Sequence, residues 1–222
     1  MTCDAIFFDF DGVLADSVEV KTRAFARLFE SHGPDVVARV VDHHRRHGGM
    51  TRFDKFRHYY AEFLGLPLSE RDMVSLCDRF TALVVEEVVA APEIPGAGAF
   101  LDDCRGIPCF VVSGTPEAEI REICRRRGLD GHFREILGAP TGKAEHVARL
   151  LDGYGFDPAS CLFFGDAGSD WRAAGACGVP FVGILPGSDA PLLAQAPDIL
   201  WYADFTACPR PDAGPRAAKG QP

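Results

Sequence analysis

Two aspartates one residue apart, Asp9 and Asp11, follow directly on an apolar run in Ala5-Ile6-Phe7-Phe8-Asp9-Phe10-Asp11-Gly12-Val13-Leu14-Ala15-Asp16. At the C-terminal end of a buried strand, such a pair stands where open α/β sheets bind ligands. A calcium loop also begins Asp-x-Asp, but it needs glycine sixth and glutamate twelfth. Here glycine comes fourth and the twelfth residue is Val20. The plain alternative is that these aspartates only cap a loop. A second pair ends the run Phe163-Phe164-Gly165-Asp166-Ala167-Gly168-Ser169-Asp170. Carboxylates flanking a glycine turn suit magnesium, which takes one or two carboxylates with water and phosphate oxygens. Asp170 is equally placed to cap a helix.

Between the two pairs lie weaker signals. Val111-Val112-Ser113-Gly114-Thr115-Pro116 leads from an apolar run into a helix start, where a hydroxyl and free N–H groups form an anion cradle or an ordinary turn and cap. Lys143, in Gly138-Ala139-Pro140-Thr141-Gly142-Lys143, taken alone reads as a solvated lysine. His43-His44-Arg45-Arg46-His47-Gly48-Gly49 reads as a solvated loop, since its histidines lack a metal spacing such as His-Glu-x-x-His. Arg46, His47, Arg52 and Lys55 are the candidates for reading the distal end of a substrate.

The elements that must position these residues are short. Ala5–Phe8, Cys109–Val112, Leu162–Phe164 and Phe181–Ile184 are continuously apolar, as parallel strands covered on both faces are. Helix signals alternate with them: Thr115-Pro116 as cap and first residue, with Gly128 closing that helix, and Ser169 or Asp170 opening another that Gly178 ends. The expected fold is therefore α/β, a doubly wound parallel sheet. One long stretch has no strand. Asp16-x-x-Glu19 resembles a capping box for a helix to about Gly33, and further helical patterns cover Arg52–Leu64 and Ser69–Val89. The expected organisation is a core of residues 1–16 and 92–206, a helical insertion over 17–91 that follows the first strand and ends at the hinge-like Ala91-Pro92-Glu93-Ile94-Pro95-Gly96, and a disordered tail over 207–222.

Composition narrows the partners. The 222 residues carry a net charge of −9, which argues against nucleic acid or an anionic membrane as the main partner. Eight scattered cysteines without a C-x-x-C pair argue against zinc, and several sit in apolar runs as reduced thiols do. With no signal-peptide pattern and no apolar run of membrane-spanning length, a cytoplasmic location is expected.

In their order along the chain, the Asp9, Ser113, Lys143 and Asp166 segments resemble the haloacid dehalogenase superfamily, in its phosphatase branch with a helical cap. Gly49-Met50-Thr51-Arg52-Phe53-Asp54-Lys55-Phe56 is similar to the cap of phosphoglycolate-phosphatase-like members. The sequence departs from the pattern at Ala144, where proline often follows the lysine, and at Ala167, where threonine or serine is common. The resemblance implies a Rossmann-like core and a magnesium-dependent phosphatase. In it Asp9 attacks phosphorus and Asp11 acts as acid and base. Asp9, the Phe10 carbonyl, Asp11, Asp166 and Asp170 make up the metal site, and Ser113, Gly114 and Lys143 bind phosphate. The implied substrate is a small phosphorylated metabolite such as phosphoglycolate or a sugar phosphate. A β-phosphoglucomutase-type phosphomutase is the nearest alternative; a dehalogenase and a non-catalytic binding module are more distant ones.

Overall fold

The chain begins with β1 (Thr2–Cys3) and β2 (Ala5–Phe8), then forms α1 (Val18–Phe29), α2 (Pro34–Arg46), α3 (Arg52–His58), α4 (Glu70–Ala90) and α5 (Ala97–Asp103) before returning to strand. It continues β3 (Cys109–Pro116), α6 (Glu117–Arg126), β4 (Glu135–Ala139), α7 (Lys143–Tyr154), β5 (Cys161–Gly165), α8 (Gly168–Ala176), β6 (Phe181–Ile184), β7 (Leu200–Tyr202) and β8 (Asp212–Ala213). The structure is a computed structural model that describes residues 2–213.

Six strands pair in parallel in the order β4-β3-β2-β5-β6-β7. Successive side chains of a strand point to opposite faces. Ile6 and Phe8 therefore join an apolar cluster with Phe100 of α5 and Ile120 of α6, whereas Ala5 and Phe7 join another with Leu150 of α7 and Ala174 of α8. Helices on both faces make the sheet doubly wound, as expected. The two edge strands β4 and β7 were not anticipated. Edge strands need only partial cover and can be short: β4 opens on the half-buried Glu135, and β7 is a run of only three residues, Leu200-Trp201-Tyr202, of which Leu200 is exposed.

Three expected helices of the insertion are present as α1, α3 and α4, with α3 passing into a π-helical segment, Tyr59–Leu64. The expected capping box at Asp16 is not formed: Ser17 is the N-cap of α1, without a side-chain cap bond. At β3 the strand runs on to Pro116, so α6 starts one residue later than the Thr115-Pro116 pattern suggests. The reading of His43–Gly49 as a solvated loop is corrected as well. The histidines lie on α2 and at its end, where Val40, His43 and His44 are buried at helical spacing. Phe25, Phe29, Phe56, Tyr59 and Phe80 form the apolar centre of the insertion and belong to the same cluster as Ile6 and Phe8.

The two connections to the insertion run side by side. Asp16 N donates to Pro92 O at 2.9 Å, and Ile94 N donates to Leu14 O at 3.3 Å. Arg127, just after α6, clamps the end of α4 by donating from Nη1 to the carbonyls of Val88, Val89 and Ala91 at 2.9, 3.0 and 2.7 Å. Val88 O also accepts from Ala91 N at 3.3 Å, but the last carbonyls of a helix are otherwise left without intrahelical donors, so a cation there is favourable. The expected disordered tail does not begin at residue 207. Cys208 packs against the core and Asp212–Ala213 pairs with Thr2–Cys3, while residues 214–222 lie outside the described residues. No helix among the described residues is long and apolar enough to cross a membrane.

Candidate active site

β2 and β5 are neighbours, with Phe8 opposite Phe164, so the residues that follow them emerge side by side. This brings Asp9 and Asp166 together from distant parts of the sequence. Asp9 N donates to Phe164 O at 2.9 Å, and Phe10 N donates to the Asp9 carboxylate at 2.7 Å. Lys143, the first residue of α7, places its buried ammonium 2.9 Å from Asp9 Oδ1 and 2.6 Å from Asp170 Oδ1. The other Asp170 oxygen accepts from Ala167 N at 3.1 Å. Asp9, Asp166 and Asp170 each offer an oxygen within 4.8 Å of the others.

Four carboxylates, those of Asp9, Asp11, Asp166 and Asp170, face the ammoniums of Lys143 and Lys21, leaving an excess of two negative charges. Burial, reinforced by Asp170 and Asp11, raises Asp9 to about 7 against the pull of Lys143. Burial, then the charges of Asp170, Asp9 and Asp11, raise Asp166 well above the usual carboxylate range against the pull of Lys143. For Lys143 burial acts against the charged form, yet Asp170 and Asp9 overcome it and raise the ammonium above its ordinary value. Hard oxygen donors with two uncompensated charges fit a divalent cation such as magnesium, which would return both aspartates to the ionised form.

Asp11 points elsewhere. Its carboxylate pairs with Lys21, accepts from Ser17 Oγ at 2.6 Å and from Thr115 Oγ1 at 3.2 Å, and lies outside the three-carboxylate group. Burial alone would raise it; the Lys21 ammonium and the Lys21 and Ser17 hydrogen bonds outweigh burial and hold it below its usual value. Lys21 and Thr115 are site residues that sequence reasoning missed. The available signal was Lys21 standing four residues after Ser17 in the first turns of α1, on the side that faces the carboxylates.

The Phe10 carbonyl is not free for a metal. It accepts from Val13, Leu14 and Ala15 N at 3.3, 2.9 and 3.1 Å and closes the turn after the strand. The Asp11 carbonyl accepts no hydrogen bond among the described residues and is the backbone oxygen left over. Ser113 is buried, and its Oγ accepts from Thr115 N at 3.1 Å. Gly114 faces the insertion so closely that a Cβ on it would lie 2.7 Å from the Gly49 carbonyl.

That approach closes the site. Gly49 has φ 71°, and a side chain there would collide with Ser169, whose Oγ donates to Gly48 O at 3.1 Å. Beneath the insertion lies a cavity of about 500 Å³ that Asp9, Asp11, Gly114, Asp166, Arg52 and Lys55 help to line. Of the expected substrate readers, Arg46 lines its rim but is mostly exposed and paired with Asp42 of its own helix. His47 is not brought to the cavity: its Nδ1 lies 2.9 Å from the His43 carbonyl and its ring stacks on His43. Arg52 is buried and committed, donating to both oxygens of Glu119 at 2.5 and 2.9 Å and to Thr81 at 2.8 Å. Only Lys55 is held differently, with Nζ 2.7 Å from His44 Nδ1.

Residues 3–178 match the haloacid dehalogenase-like hydrolase family. The chain belongs to that family. Among characterised sequences it is 30% identical over 207 residues to the phosphoglycolate phosphatase of Neisseria gonorrhoeae, covering 86% of this chain and 84% of that one. It is 27% identical over 208 residues to hexitol phosphatase A of Escherichia coli, covering 90% and 91% of the two chains. Among solved structures, β-phosphoglucomutase of Clostridium difficile superposes with a TM-score of 0.76 at 19% identity, covering 94% of each chain, which shows the shared fold.

In this haloacid dehalogenase-like hydrolase, Arg52 ties the insertion to α6 through a pair that is nearly water-free, with side-chain exposures of 4% and 7%. Removing one partner strands the other charge, so Arg52→Ala is expected to cost about 3 kcal/mol in urea unfolding. Arg52→Met with Glu119→Gln is expected to cost much less. Gly49→Ala is expected to cost about 1–2 kcal/mol from backbone strain and more from the collision with Ser169. Gly155→Ala is the control, since Gly155 is left-handed at φ 68° with nothing within 4 Å of an added Cβ. A loss at position 49 no larger than at 155 would show that the close approach is absent in solution.

Proposed function

We propose that this chain is a magnesium-dependent phosphatase that hydrolyses a small phosphomonoester, of the phosphoglycolate or sugar-phosphate type, through an aspartyl-phosphate on Asp9. The observation that carries the proposal is Asp9 held by the buried Lys143 ammonium, with Asp166 and Asp170 oxygens within 4.8 Å, at a cavity beneath the insertion. The two phosphatase relatives point the same way.

Asp9 attacks phosphorus, and covalent capture splits one difficult displacement into two easier ones. The Lys143 ammonium, the Gly114 N–H and the Ser113 hydroxyl take the phosphoryl oxygens as charge builds on them. Asp11 gives a proton to the leaving oxygen and later takes one from the water that attacks the aspartyl-phosphate. Asp9, Asp166 and the Asp11 carbonyl would hold magnesium, with Asp170 fixing Lys143 and the Ala167 N–H behind them. When bound, the ion neutralises the repulsion between an anionic nucleophile and an anionic ester. The insertion keeps water and bulky esters out of the cavity. All eight cysteines are free thiols, which suits a cytoplasmic setting.

The contact to Asp11 also bears on the mutase alternative. Mutases of that type resemble this chain in the core but carry a histidine shortly after the first motif. In the matching stretch, Ala15–Lys21, there is none, and Lys21 is the residue that touches Asp11. Steady phosphate release from small esters is expected, without interconversion of glucose 1-phosphate and glucose 6-phosphate.

Asp9→Asn is expected to abolish phosphate release while the melting temperature stays the same or rises, because one of several crowded carboxylates is removed. EDTA is expected to stop turnover and magnesium to restore it. Full activity in EDTA, or in Asp9→Asn, would overturn the proposal.

A further inference from the structure

Five cationic side chains line the cavity, and four of them already have a carboxylate. Lys21 pairs with Asp11, Arg45 with Glu19, Arg46 with Asp42 and Arg52 with Glu119. Lys55 alone has no carboxylate partner among the described residues, although its side chain is among the most deeply buried in the molecule, at 2% exposure. Its Nζ lies 2.7 Å from His44 Nδ1 and 5.4 Å from the centre of the Phe25 ring. Phe25 and Phe80 also line the cavity, while the charges of Lys21, Asp11 and Asp166 act on the amine without pairing with it.

The histidine matters for what it does not supply. Burial first, then the charges of Lys55 and Lys21, push His44 down to about 2, so it stays neutral. A neutral ring nitrogen accepts one hydrogen bond and aims the amine without neutralising it. Two further donors of Lys55 remain. The Nε2 of His44 is also buried with no partner. Burial, then the Lys21 charge, in turn lower Lys55 to about 7, against the pull of Asp11 and Asp166. An empty cavity thus leaves a costly amine that an incoming anion would both charge and satisfy.

We infer that Lys55, aimed by His44, is the specificity residue of the cavity and reads a single anionic group, a carboxylate, at the end of the substrate remote from the phosphate. The inference rests on the phosphatase assignment above and chooses within it: the substrate is a short phosphorylated carboxylic acid and not a polyol phosphate. A sugar's hydroxyls would find an apolar wall and one amine whose charge they cannot balance. Arg52, the other buried cation, has no such capacity left because Glu119 occupies both arms of its fork.

The test compares two esters of equal length in the presence of magnesium: 2-phosphoglycolate, which carries the carboxylate, and 2-hydroxyethyl phosphate, which carries a hydroxyl instead. The wild-type kcat/KM is expected to favour the acid by about 10²-fold or more, since a site built for one polar partner rejects the analogue that lacks it. Lys55→Met, a near-isosteric apolar replacement checked by thermal melting, is expected to bring that ratio to within about 3-fold, chiefly through KM for the acid. A wild-type ratio near one overturns the inference whether or not the variant folds, as does a ratio that survives in folded Lys55→Met. Phosphate release from p-nitrophenyl phosphate with neither small ester turned over also overturns it and leaves the phosphatase assignment standing. No phosphate release from any of the three overturns that assignment and this inference with it.

Discussion

The ammonium of Lys143 between Asp9 and Asp170 is the interaction on which the active end of this molecule depends. Parallel pairing of β2 with β5 is what sets Asp9 beside Asp166, and that same pairing forces like charges into a space with little water. Without a buried cation the strand ends would have to splay apart or keep their carboxylates protonated. Lys143 comes from the first turn of α7, and its ammonium joins β2 to α8. It offsets only part of the charge. The remaining excess of negative charge is of the kind that a bound divalent cation would balance.

The insertion solves a second electrostatic problem in the opposite way. Several of its charges are matched individually: Arg52 with Glu119 of α6 in the interior, and Glu86 with Arg126 of α6 and Arg23 with Glu87 at the surface, whereas Lys55 has no carboxylate partner among the described residues. The surface pairs are worth little, because water screens them and ordering two long side chains costs entropy. The Arg52–Glu119 pair is different because it is dry and two-pronged, so its role is to fix the position of α3 against α6 and thereby of Gly48–Gly49 over the strand ends. Close approach at Gly49 and Gly114 then becomes a geometric requirement, met by residues without a Cβ.

How much of this was legible in the sequence follows from the physics of each signal. Strands buried on both faces advertise themselves, so β2, β3, β5 and β6 could be read from three or four apolar residues each. The edges β4 and β7 could not, because a strand with one neighbour need not be apolar throughout. Asp9 and Asp166 were legible because charge at the end of an apolar strand has few structural uses. Contacts between residues far apart in sequence were not. Nothing local marks Glu119 as the partner of Arg52, or Asp11 as the partner of Lys21. α2 was missed for another reason: histidine occupies its buried face, and an imidazole that stays neutral through burial packs like an aromatic ring while looking polar in the sequence. The Phe10 carbonyl was misjudged because a carbonyl's availability is set by the turn that follows it, and here three N–H groups of that turn converge on it.

Asp11 carries the last consequence of this arrangement. A group that is to donate a proton and then accept one must be close to balance between its two states at the working pH. With Lys21, Ser17 and Thr115 all stabilising its anion, Asp11 is far on the ionised side before substrate enters. An arriving phosphate dianion changes that balance in two ways. It adds negative charge close to Asp11, which favours the protonated form, and it competes for the Lys21 ammonium and the Thr115 hydroxyl that hold the anion in place. Under the proposed mechanism the substrate would thereby help to prepare its own acid, and departure of the leaving group would restore the conditions that favour a base. A histidine in place of Lys21 would weaken this coupling, since a neutral ring would hold Asp11 less firmly before the substrate came. The lysine thus suits a cycle in which water follows the leaving group promptly, consistent with hydrolysis and opposed to long storage of an aspartyl-phosphate.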